Sequence, residues 1–115
     1  IVSSTARVGI DIEMVTPRID RIKHKFLHPE ELAFVNRQST SHPISLLTLL
    51  WSAKEAMFKW WGRGDVDFSE VMRMESFEMN NTGMIKGVFQ KENFLAHLQL
   101  HYRLQNGLSL VWVYS

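Results

Sequence analysis

Cysteine is absent from the 115-residue chain, which excludes disulfides and thiolate chemistry and suits a reducing cytoplasm. Charge of one sign is also scarce: thirteen Lys and Arg against twelve Asp and Glu leave a formal net charge of +1. So small an excess gives no general reason to expect nucleic acid or an anionic membrane as partner. No apolar run approaches the roughly 20 residues of a membrane-crossing helix. Proline occurs three times, at Pro17, Pro29 and Pro43, each at the edge of a patterned segment. What is present is ordinary for a folded protein: 45% of residues are hydrophobic, and the length suits one compact domain rather than two.

Residues 7–14 alternate as a strand, with Val8, Ile10, Ile12 and Met14 on one side and Gly9, Asp11 and Glu13 on the other. Thr16-Pro17 ends it, and residues 18–25 can form a short helix with Ile19, Ile22 and Phe26 as apolar points. His28-Pro29-Glu30-Glu31 opens another helix, proline in its first turn and acids at the positive end of its dipole. After a polar loop at 38–42, Pro43 starts a long helix that Gly62 and Gly64 stop.

Beyond Gly64 the pattern changes to strands. Residues 66–79 have mixed faces, whereas 84–90, 94–105 and 108–114 read as strands parted by turn signals. Asn106-Gly107 is the strongest hairpin signal. The expected architecture is α+β, one early strand and two or three helices packed on an antiparallel meander.

Within the long helix Leu46, Leu47, Leu50, Ala53, Met57 and Phe58 would face a core, while Trp51, Glu55 and Lys59 share a stripe. A Glu four residues before a Lys can be a plain surface pair contributing about 0.2–0.5 kcal/mol. Asp11 and Glu13 pose a sharper question. Two carboxylates on one side of an otherwise apolar strand repel each other and lose hydration if covered. A hard divalent cation such as Mg²⁺ would relieve both problems, and Glu55 could supply a third oxygen if the helix crosses the strand. The alternative is a strand whose acidic side is solvated.

These residues carry a resemblance. Val8-Gly9-Ile10-Asp11-Ile12-Glu13, followed about forty positions later by Trp51-Ser52-Ala53-Lys54-Glu55-Ala56 and Lys59, resembles the signature pair of the 4′-phosphopantetheinyl transferase superfamily. Phe26-Leu27-His28-Pro29-Glu30-Glu31, and Gly62-Arg63-Gly64 with an expected strand at 68–71, resemble the family's intervening and following segments. The resemblance implies transfer of the 4′-phosphopantetheine arm of coenzyme A to a serine of an apo acyl- or peptidyl-carrier protein, releasing adenosine 3′,5′-bisphosphate.

It further implies that Asp11, Glu13 and Glu55 hold Mg²⁺ and that Glu55 is the candidate base for the serine hydroxyl. Lys54 and Lys59 would bind phosphate, Lys59 also acting in catalysis, and Arg63 could meet the adenosine phosphates. The family has small members that form trimers and large members of two fused halves. Ile1-Val2-Ser3-Ser4, which looks like the tail of a strand, and the Trp51-Ser52-Ala53-Lys54-Glu55 motif lean toward the second half of a large member. The expectation is thus one transferase-like domain over 1–115, lacking an upstream half or pairing with itself. A second hypothesis, from another class, is a non-catalytic carrier- or subunit-binding module that keeps the fold. A metal-dependent phosphohydrolase is a remoter third, because three carboxylates with Mg²⁺ also suit hydrolysis.

Overall fold

A computed structural model describes residues 7–115. The strand tail expected at Ile1-Val2-Ser3-Ser4 lies outside the described residues. Along the chain run β1 (Val8–Met14), α1 (Ile19–Phe26), α2 (Pro29–Arg37), α3 (Pro43–Trp61), α4 (Phe68–Val71), β2 (Met72–Met74), β3 (Thr82–Lys91), β4 (Phe94–Gln105) and β5 (Leu108–Tyr114). The five strands form one antiparallel sheet in the order β1-β5-β4-β3-β2. The α+β expectation holds, and the early strand closes the sheet by pairing with the last.

Local chemistry accounts for the boundaries. The β4–β5 hairpin turns on Asn106 and Gly107, at φ 53° and 74°, the left-handed values that this residue pair tolerates best. Pro43 sits in the first turn of α3, and Gly62, at φ 65°, closes it with its N–H donating to the Phe58 carbonyl. His28 caps α2: its Nδ1 accepts from the Glu30 N–H at 3.1 Å, while Glu31 accepts from the His28 N–H at 2.8 Å. One expectation needs correcting. Residues 68–71 form a helical turn rather than a strand, because Asp67 accepts from both the N–H and the hydroxyl of Ser69 and starts a helix.

α3 is the centre of the molecule. Leu46, Leu47, Leu49, Leu50, Ala53, Ala56, Met57, Trp60 and Trp61 are all buried, so it packs on nearly every side, not along one stripe. Its sheet side meets Ile85, Phe89, Leu98, Leu100, Val111 and Val113 in one core. Ser52 Oγ lies 2.9 Å from Ser109 Oγ and ties the helix to β5. Contact with β1 is closer still: a Cβ added at Gly9 would stand 1.9 Å from the Ala56 carbonyl oxygen and 2.7 Å from the Trp60 nitrogen. Only a residue without a side chain lets the strand lie directly on the helix backbone.

That approach settles which side of β1 is covered. Gly9, Asp11 and Glu13 alternate together, so the side that must touch α3 is the acidic one. Val8, Ile10, Ile12 and Met14 point away and remain exposed. With exposed Leu108 and Tyr114 and half-buried Leu110 and Trp112 of the adjoining β5, they make an apolar strip on the outer face.

Candidate acidic site

The sheet edge and the last turns of α3 bring Asp11, Glu13, Glu55 and Lys59 together. Asp11 is only 4% exposed; its Oδ1 accepts from Lys59 Nζ at 2.9 Å, and its Oδ2 is buried without a partner among the described residues. Glu13, half-buried on the same side of β1, has its pKa pushed up from 4.5 to about 7. Burial is the larger cause; the neighbouring Asp11 carboxyl adds to it, Glu55 adds a little, and the Trp51 side chain opposes it. The Glu55 carboxyl is also raised, first by burial and then by Asp11, with Lys59 pulling the other way. The Lys59 ammonium is held charged above its ordinary range, chiefly by its hydrogen bond to Asp11.

These shifts describe one cluster of like charges sharing a partly covered space. Asp11 makes ionisation of Glu13 and of Glu55 harder, and among the described residues a single half-exposed ammonium, that of Lys59, bonds to the cluster. The donor set fits a hard divalent cation: the candidate donors are all carboxylate oxygens, and one of them is buried without a hydrogen-bond partner among the described residues. Among the described residues no three His, Cys, Asp or Glu side chains form a ready-made metal cage. Asp11 faces Lys59 instead, so Asp11, Glu13 and Glu55 would have to close around the ion.

Next to the acids lies a cavity of about 310 Å³ whose walls include Glu13, Arg18, Ile19, Thr48 and Trp51. Trp51 packs edge-on against Phe26, ring centres 5.1 Å apart, so it joins α3 to α1 as well as walling this cavity. A larger cavity, about 670 Å³, lies between α2 and β2 around Phe34, Arg37 and Arg73 and shares none of the four site residues. Chemistry, not volume, favours the smaller one.

One of the expected phosphate ligands, Lys54, is committed elsewhere. Lys54 is fully buried: Nζ donates to Glu31 Oε1 at 2.7 Å, to the Phe68 carbonyl at 2.8 Å and to the Met72 carbonyl. All three ammonium hydrogens are committed, so the expectation that Lys54 binds phosphate is corrected. One residue of helix rotation, about 100°, separates this inward lysine from site-facing Glu55. Arg63 is exposed and its guanidinium lies over the Trp61 ring at 5.4 Å.

Sequence reasoning also passed over Glu31. It is 4% exposed, and besides Lys54 and the His28 N–H it accepts from the Met74 N–H at 2.8 Å. Its signal was its place three residues after the helix-opening His28, where a capping glutamate belongs. Gly9 was the other omission, and a lone glycine inside a strand pattern marks just such a close backbone approach.

Compared with known protein families, the chain matches the model of the 4′-phosphopantetheinyl transferase superfamily over residues 7–111. No curated protein matches it.

Proposed function

Because the chain belongs to the 4′-phosphopantetheinyl transferase superfamily, we propose that it transfers the 4′-phosphopantetheine group of coenzyme A to a serine of an apo acyl- or peptidyl-carrier protein. The observation that carries the proposal is the inward turn of Asp11 and Glu13 onto the part of α3 that bears Glu55 and Lys59. A strand with a solvated acidic side would have left Asp11 open to water; it is 4% exposed.

Asp11, Glu13 and Glu55 would hold Mg²⁺, which when bound neutralises charge on the pyrophosphate and stabilises the departing bisphosphate. In this reading Glu55 is also the general base for the serine hydroxyl; without metal, burial and Asp11 hold its carboxyl above its ordinary range. The serine hydroxyl proton passes to Glu55 as the serine oxygen bonds to the β-phosphorus. The bond from that phosphorus to the bridging oxygen breaks, and its electron pair leaves with adenosine 3′,5′-bisphosphate. Lys59, half-exposed and one turn beyond Glu55, can place its ammonium on a non-bridging oxygen. Arg63, on its exposed loop, could meet the adenosine phosphates.

The test is incubation with coenzyme A, Mg²⁺ and an apo-carrier protein, followed by intact mass measurement of the carrier. Wild-type protein should add one phosphopantetheine mass, and Glu55→Gln should abolish the addition. Transfer undiminished in Glu55→Gln would overturn the assignment of the base.

The outer apolar strip supports the further reading that this face is covered by a second copy of the chain, as in a homo-oligomer. Ile10→Lys should then convert a dimer or larger species to monomer in light scattering. A wild-type monomer at high concentration would remove the self-pairing reading. If carrier binding persisted without Mg²⁺, coenzyme A or Glu55, the strip would instead favour a non-catalytic binding module.

A further inference from the structure

Resting on the metal-site reading above, we propose that Lys59 is the resident counter-ion of the acid cluster. It neutralises Asp11 while no metal is bound and gives up that carboxylate to a divalent cation, becoming free to meet phosphate.

Asp11 is nearly fully buried, and a buried carboxylate without a charge partner is costly. Lys59 is the cation within bonding distance among the described residues, 2.9 Å from Oδ1, yet its own side chain is 51% exposed. Its flexible methylene stem can therefore swing away without repacking the core. Lys54, five residues earlier on the same helix, shows the contrasting arrangement, with no exposure and every hydrogen committed. One lysine is fixed into the fold and the other stands half-exposed beside the acids.

An ammonium that satisfies Asp11 also repels any cation arriving at Asp11, Glu13 and Glu55. Lys59 thus lowers metal affinity in the ligand-free protein while protecting the cluster from its own repulsion. Once Asp11 is taken, the displaced ammonium remains one helical turn from Glu55 and next to the place where phosphate oxygens would sit. Metal binding and phosphate binding then draw on the same side chain in opposite senses.

The experiment measures binding of Mn²⁺ alone, by loss of the free-ion paramagnetic resonance signal, to wild type, Lys59→Met and Lys59→Arg. Inorganic pyrophosphate is then titrated onto each Mn²⁺-loaded protein. Lys59→Met should bind Mn²⁺ about tenfold more tightly, the scale of one charged hydrogen bond no longer broken on binding. It should bind pyrophosphate more weakly, and Lys59→Arg should keep the wild-type pattern in both. Because the side chain is half-exposed, Lys59→Met should fold normally, which circular dichroism checks. Equal or weaker Mn²⁺ binding by Lys59→Met would overturn the counter-ion role while leaving the metal site standing. Failure of all three proteins to bind Mn²⁺ would overturn the metal site and this inference with it.

Discussion

Replacing Lys54 with methionine keeps most of the buried stem and removes the ammonium group. The carboxylate of Glu31 would stay behind, 4% exposed, still receiving the N–H groups of His28 and Met74 but without its cation. The carbonyls of Phe68 and Met72 would each lose a donor. Removing one partner of a buried ion pair costs about 3–5 kcal/mol, because the remaining charge is neither paired nor hydrated. Against a total stability of about 5–15 kcal/mol for a domain, that is a large fraction.

With a urea slope of about 2 kcal/mol per molar, the unfolding midpoint should fall by roughly 2 M. Lys54→Met combined with Glu31→Leu should lose less than the two single changes added together, because the double variant strands no charge. The site gives a second readout. If Lys54 worked as a phosphate ligand, Lys54→Met would leave the midpoint almost unchanged and weaken coenzyme A binding. A loss below about 1 kcal/mol, the scale of a surface pair, would refute the buried-staple assignment.

Gly9→Ala should be among the more damaging small substitutions in β1, since its Cβ would overlap the Ala56 carbonyl oxygen and force the strand off α3. Overpacking of this kind costs about 1–3 kcal/mol or more. A thermal melt at wild-type temperature would contradict the packing of β1 on α3. The pH dependence of the ligand-free protein has a definite sign at Glu13, whose pKa of about 7 lies above the ordinary 4.5. Between those values the folded state binds more protons than the unfolded one, so stability falls as pH rises. The contribution is complete below pH 4.5 and gone above about pH 7, and Glu13→Gln should flatten that part of the profile. Urea titrations from pH 4 to 8 measure this, and an unchanged slope in Glu13→Gln would count against it.

Much of this protein can be read in its residues. The Asn106-Gly107 hairpin, the limits of α3 at Pro43 and Gly62, and the cap at His28 follow from local backbone chemistry, which neighbouring residues carry by themselves. Alternation along β1 put Asp11 and Glu13 on one side, and helical spacing put Glu55 and Lys59 on one stripe. The order and spacing of those motifs likewise pointed to the superfamily that matches the chain.

Which side of β1 faces inward was another matter, because a period of two distinguishes two faces without ranking them. An ordinary hydrophobic rule would bury Val8, Ile10 and Ile12; the approach of α3 to Gly9 and the pairing with β5 buried the acids instead. The fates of Lys54 and Lys59 were undecided in the same way. Five positions apart on one helix, they differ because α2, α4 and β2 close over the first and leave the second beside the acids, and those contacts join residues far apart in the chain.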